Sequence, residues 1–172
     1  IMEMSPEPER ALEAVDKLRT LVPSSGHLIH MPSHIYVLCG QYEKTIASNI
    51  EAAAADEDYL EYDGELGIYY VYLLHNIHFQ MYGAFFSGQY EPAIRAAREM
   101  QATVKPEYLL SDFAFLVNYL EAFYGMKAHV LIRFGKWQEI LDEPQPDDPK
   151  MFCVTTAVWQ YAKGIAHAVL GN

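Results

Sequence analysis

The sequence predicts an all-α protein built from helical hairpins, and three observations lead to this prediction. Small or apolar residues recur at helical spacing along most of the chain. A glycine followed two residues later by an aromatic side chain recurs at Gly40, Gly88 and Gly135, which are 48 and 47 residues apart, and Gly171 closes the chain in a similar way. Almost no segment alternates between apolar and polar residues, as a half-buried strand would.

Each of these four glycines, here called the register glycines, is predicted to follow a helix. The predicted first helices cover residues 26–39, 65–87, 110–134 and 151–170. Second helices follow in YEKTIASNIEAAAADE and YEPAIRAAREM, whereas WQEILDE is expected to be short because Pro144 comes soon after it. The opening segment PERALEAVDKLRTLVP reads as the second helix of an earlier pair, ended by Pro23.

Two acidic stretches are predicted as loops between these helices. They are DEDYLEYDGE (56–65) and DEPQPDDPK (142–150), which contain a glycine or several prolines. The carboxylates of the first stretch lack the spacing of a calcium-binding EF-hand loop. Both stretches are therefore interpreted as solvated connections.

Composition excludes several classes of function. A net charge of −11 disfavours nucleic acid or an anionic membrane as the main partner, because both require a basic surface. The cysteines Cys39 and Cys153 lack the spacing of a zinc motif or disulfide framework. No apolar run reaches the length of a membrane span. The sequence also lacks a glycine-rich phosphate-binding loop, so a nucleotide cofactor is not expected.

The start of the chain leaves the compartment open. The chain begins at Ile1 without a signal peptide and reads as a fragment of a longer protein. A cytoplasmic location is the default expectation, and an exported form stays open.

The turns and second helices resemble those of tetratricopeptide repeats. In GQYEPAIRAAREM, the turn is followed by Ala93, Ala97 and Met100 on the expected buried stripe, and GQYEKTIASNIEAAAAD places Thr45, Asn49 and Ala52 at the corresponding positions. The resemblance implies a right-handed α-solenoid. Residues 1–172 would form a single domain with about three full helix pairs and partial pairs at both ends. The spacing departs from the usual 34 residues of this repeat.

A narrower resemblance rests on HMPSHIYVLCGQYEKTIASNIEAAAAD and HNIHF. These stretches are similar to an uncharacterised group of large bacterial tetratricopeptide-repeat proteins with an H-M-P-S-H-I signature. That group implies no settled activity.

Six of the seven histidines fall at three equivalent distances before a register glycine. The pairs are His27 and His75 at 13 residues, His30 and His78 at 10, and His34 and His129 at 6. Steps of three and four place them on one helical face. In tetratricopeptide arrays this face lines the concave binding groove.

Imidazoles converging from rigid helices predict a site for a divalent transition metal. Neutral imidazole is the commonest protein ligand of zinc, copper and nickel. No carboxylate shares these distances, which disfavours a 2-His-1-carboxylate iron site, and calcium or magnesium would require oxygen ligands. The predicted core ligands are His27, His30, His75 and His78. His34 and His129 are the additional candidates.

Other side chains at the same distances complete the predicted groove. Tyr82 takes the third position in the second repeat, and Ala122 and Gly125 take the first two positions in the third repeat. These small residues would open a cavity or allow close packing. On the last helix only Tyr161 brings a polar tip, so that helix is expected to form an apolar wall.

Two alternatives to simple metal binding stay open. Duplication copies residues between repeats, so the recurring histidines are also compatible with a protein-interaction module that binds a peptide without metal. A metal-dependent oxidase or hydrolase is the other alternative, since a bound metal can activate oxygen or water.

Overall fold

The computed structural model describes residues 2–63 and 68–171, and these residues are helical without any strand. The all-α prediction is therefore confirmed for this part of the chain. The α-helices are α1 (Leu12–Leu18), α2 (Gly26–His30), α3 (Ser33–Leu38), α4 (Tyr42–Asp63), α5 (Ile68–Ser87), α6 (Tyr90–Thr103), α7 (Ala114–Tyr124), α8 (Met126–Arg133), α9 (Trp137–Asp142) and α10 (Cys153–Leu170). Short 3-10 turns cover Met2–Met4, Pro8–Ala11 and Pro106–Leu110.

The chain packs as two compact units, Ile1–Ala96 and Ala97–Asn172. The single domain and the solenoid arrangement stay predictions. None of the described helices combines the length and apolarity needed to cross a bilayer.

The register glycines end helices in the left-handed conformation. Their φ angles are 71° at Gly40, 74° at Gly88, 65° at Gly135 and 76° at Gly171. After Gly40, the amide of Gln41 donates to the carbonyl of Tyr36 at 2.8 Å, which is the long bond of a Schellman motif. Glycine is favoured here because a side chain disfavours this backbone conformation.

In the first unit, α4 and α5 form an antiparallel pair. Near one end of the pair, Asn76 Nδ2 donates to Asp56 Oδ2 at 2.8 Å, and Gln80 Nε2 donates to the Asn49 carbonyl at 3.3 Å farther along. At Gly83 the two helices come so close that an added Cβ would lie 2.9 Å from Ile46 Cγ1. This pair is the support on which α2 and α3 pack.

The first predicted helix, 26–39, is broken into α2 and α3 around Pro32. Proline has no amide hydrogen and cannot continue the helical hydrogen-bond ladder. The amide of Tyr36 resumes that ladder by donating to the Pro32 carbonyl at 3.0 Å. His30 and His34 therefore lie on either side of a helix break.

The predicted loop over residues 56–65 is wrong for its described part, because α4 continues to Asp63. Its Gly64 and Glu65 lie outside the described residues. The run of alanines at 52–55 has the highest helix propensity and carries the helix into the acidic stretch. Asp56 is consequently buried, with 1% exposure, although the pattern indicated a solvated residue.

The second unit also interrupts a predicted helix. Residues 110–134 form the end of a 3-10 turn followed by α7 and α8, which meet at Gly125. The buried Glu121 carboxylate of α7 accepts the Thr155 amide at 2.7 Å and so caps the start of α10. Trp159 and Ile140 are core residues of this unit. As predicted, α9 is short and 142–150 contains no helix after Asp142.

Candidate metal centre

Three histidines from α2, α3 and α5 come together in the first unit. One nitrogen from each of His30, His34 and His75 lies within 4.8 Å of the others. The Nε2 atoms of His30 and His34 are 2.9 Å apart, and the ring centroids of His30 and His75 are 4.6 Å apart. We call these three residues the histidine cluster.

Asn49 determines which nitrogen of His30 carries the proton. The Asn49 amide Nδ2 donates to the Thr45 carbonyl at 2.7 Å, which directs Oδ1 toward His30. His30 Nδ1 lies 2.6 Å from that oxygen and must donate to it. The Nε2 lone pair of His30 is therefore left to face the cluster.

Glu3 makes the corresponding contact with His34. Its Oε1 lies 2.8 Å from His34 Nδ1. Each of the two histidines thus has an oxygen acceptor behind its outer nitrogen, and their Nε2 atoms face each other. In metal sites the ligating histidines commonly have this outer partner, which fixes the tautomer and the ring orientation.

Phe79 of α5 forms an apolar wall against all three imidazoles. Its ring centroid is 4.8 Å from those of His30 and His34 and 4.9 Å from that of His75. Close aromatic packing on every member of the cluster limits the rotation of the rings.

Burial keeps two members of the cluster neutral at pH 7. Desolvation lowers the pKa of His30 to about 3, despite the opposing hydrogen bond to Asn49. Desolvation, together with the nearby His78, lowers the pKa of His75 to about 4. Neutral imidazole is the form that binds a metal, so protons compete weakly for these two nitrogens.

The remaining predicted ligands of the first unit flank the cluster. His27 stacks on Tyr72 with centroids 4.3 Å apart, and its centroid is 6.1 Å from that of His30. The His78 centroid is 6.4 Å from that of His75 and 6.1 Å from that of Tyr82. His34 thus joins His30 and His75 at the centre, and ligand roles for His27 and His78 stay predictions.

The other predicted groove residues lie in the second unit. His129 is exposed on α8, and Tyr161 is exposed on α10. Ala122 lies on α7 and is half-buried. At Gly125 an added Cβ would lie at ordinary van der Waals distance, 3.6 Å, from both Thr155 Cα and Val158 Cβ, so this position packs against α10.

Sequence reasoning missed Glu3, Asn49 and Phe79 as parts of the site. Asn49 had a detectable signal, since a polar amide there replaces the small apolar Ala97 of the second repeat. Phe79 follows His75 by one helical turn. Glu3 is 31 residues from His34, and no pattern in the sequence connects them.

No family model, curated protein or solved structure matches this chain.

Proposed function

We propose that this chain binds a divalent transition metal ion through His30, His34 and His75. The main support is the number of protons available to the hydrogen-bonded chain Asn49–His30–His34–Glu3. If each of the two imidazoles has a single proton, on Nδ1, and donates it to Asn49 or to Glu3, two bare Nε2 lone pairs face each other 2.9 Å apart. A cation at this point relieves the repulsion, and it is either an additional proton or a metal ion.

The distances support a metal ion in this position. Two nitrogens bound to one ion at about 2.0–2.1 Å lie roughly 2.8–3.4 Å apart for bond angles between 90° and tetrahedral. The 2.9 Å between the two Nε2 atoms lies within that range, at the end that corresponds to bond angles near 90°. His75, whose nitrogen lies within 4.8 Å of the other two, would complete three protein ligands after a small shift of its ring, because two nitrogens bound to one ion are at most about 4.2 Å apart. Zinc, copper and nickel are the ions that favour imidazole ligands.

The experiment is a titration of tag-free protein, first treated with a chelator, with Zn²⁺ by calorimetry and with Co²⁺ by visible absorption. We expect one site per chain and, for Co²⁺, the intense bands of a low-coordinate ion. Replacing His30 or His75 by alanine should abolish binding. His167→Ala is the matched control, because that histidine is exposed in the second unit.

Two results would overturn the proposal. One is the absence of stoichiometric binding in the unsubstituted protein. The other is a binding isotherm for His30→Ala and His75→Ala equal to that of His167→Ala, with helicity by circular dichroism unchanged. Either result would favour the peptide-binding module without metal.

Three protein ligands also support catalysis as a second candidate function. They leave a coordination position of a tetrahedral ion for water or substrate, as in catalytic zinc sites. Turnover of a model ester would support a metal-dependent hydrolase, and turnover of a phenol would support an oxidase. In either case the activity should be lost in the His30→Ala variant.

A further inference from the structure

We propose that Glu3 positions His34 as a metal ligand, and that metal binding thereby fastens the segment Met2–Ala11 onto α3. This inference rests on the proposed metal binding. It assigns to a residue remote in sequence a role that the three ligands alone do not explain.

The first step is the contact itself. Glu3 lies on the 3-10 turn Met2–Met4, and its Oε1 is 2.8 Å from His34 Nδ1. The Glu3 side chain is 47% exposed and that of His34 is 21% exposed. The contact therefore lies at the edge of the cluster, where water competes for it while no metal is bound.

The second step concerns what else holds the segment in place. Between the segment, α1 and α3 there is a cavity of about 200 Å³. Most of its lining is apolar and includes Met2, Val15, Leu18 and Ile35. Because apolar packing there is incomplete, the polar contact with His34 is one of the interactions that dock the segment on α3.

The third step is the coupling between the two contacts. A metal ion on Nε2 withdraws electron density from the ring and makes the Nδ1 proton a better donor to the carboxylate. Conversely, the carboxylate raises the basicity of Nε2 and fixes the ring. By thermodynamic linkage, docking of the segment and metal affinity must strengthen each other by the same factor.

Asn49 serves His30 in a different way. It lies within α4, and its own amide is bonded to Thr45 of the same helix. It is therefore fixed whether or not metal is bound. Of these two outer partners, Glu3 is the one carried by a short peripheral segment.

The test measures Zn²⁺ affinity by calorimetry in the unsubstituted chain, Glu3→Ala, Glu3→Gln and Glu9→Gln. We expect Glu3→Ala to weaken binding roughly 10- to 100-fold, the usual cost of losing an outer partner. Glu3→Gln should weaken it less, because its amide oxygen still accepts the Nδ1 proton. Glu9→Gln removes the same charge from the same segment at an exposed position and should bind like the unsubstituted chain.

The second readout is tryptic cleavage after the exposed Arg10, followed by mass spectrometry with and without Zn²⁺. Zn²⁺ should slow this cleavage in the unsubstituted chain and in Glu9→Gln. It should not slow cleavage in Glu3→Ala at a Zn²⁺ concentration that saturates this variant.

The outcomes separate the two proposals. If the unsubstituted chain does not bind Zn²⁺, the proposed function fails. If it binds Zn²⁺ but Glu3→Ala has the same affinity and the same protection at Arg10, only the role of Glu3 is overturned.

Discussion

Asn49 Oδ1 lies 2.6 Å from His30 Nδ1, and both side chains are fully buried. Neither group can turn to water, so the Nδ1 donor of His30 and the Oδ1 acceptor of Asn49 depend on each other for a hydrogen bond. The contact links α2 to α4 and at the same time fixes the tautomer of an imidazole in the histidine cluster.

Replacing Asn49 by alanine should therefore lower the free energy of unfolding by about 1–3 kcal/mol, the cost of leaving a buried donor unsatisfied. Urea denaturation of the metal-free protein measures the change. Asn118→Ala is the control, because Asn118 is exposed on α7 and its loss should change stability by less than about 0.5 kcal/mol. Equal losses for the two variants would contradict the role assigned to the buried amide.

Asp56 should make stability depend on pH. Burial raises its pKa from 3.8 to about 7, although the hydrogen bond from Asn76 opposes this shift. The folded chain thus holds the proton more tightly than the unfolded chain. The contribution of Asp56 to the free energy of unfolding is complete below about pH 4. It falls as the pH rises to about 7 and is constant above that.

Asp56→Asn cannot lose a proton and retains an oxygen that can accept the bond from Asn76. Its stability relative to the unsubstituted chain should therefore rise between about pH 4 and pH 7, as measured by urea denaturation. Asp58→Asn is exposed on the same helix and should show no such rise. Parallel pH profiles for the unsubstituted chain and Asp56→Asn would contradict the prediction.

Gly26→Ala should destabilise the first unit. The added Cβ would overlap the Asp56 carboxylate and lie 2.5 Å from the Ala52 carbonyl oxygen, which belongs to rigid helix backbone. The expected loss is at least about 1–3 kcal/mol, as for other overpacked sites. Gly164→Ala in α10 has open space around its Cβ and should instead stabilise by about 1 kcal/mol through helix propensity. Thermal denaturation distinguishes the two signs.

Gly88→Ala tests the conformation of the register glycines separately from packing. Its φ is 74° and no atom lies within 4 Å of an added Cβ, so the loss should be purely conformational, at about 1–2 kcal/mol. Gly88→Asn should lose less, because asparagine tolerates the left-handed region. An alanine variant as stable as the asparagine variant would be evidence against this explanation.

Much of the fold could be predicted from local rules. The left-handed helix ends follow from a glycine placed after each apolar helical pattern, and the short α9 follows from Pro144. The misread acidic stretch shows the limit of such rules. Asp56 is buried because Gly26 allows α2 to approach it, and that proximity is a tertiary contact that composition does not encode.

The sequence predicted that the candidate site consists of histidines, but it predicted only in part which histidines form it. Helical spacing selected six histidines and included all three members of the cluster. It ranked His34 second, together with His129, whereas His34 joins His30 and His75 across the helix break around Pro32. Glu3 arrives from a separate segment, so no periodicity could identify it.

The distribution of indole side chains has a practical consequence for spectroscopy. The two tryptophans of the sequence are Trp137, which begins α9, and Trp159, which lies in the core of the second unit. The first unit contains none. Tryptophan emission excited at long wavelength therefore originates in the second unit, while the colour of bound Co²⁺ would report on the first. Following the tryptophan fluorescence and the Co²⁺ absorption during thermal denaturation of one sample would show whether the two units unfold together or in sequence.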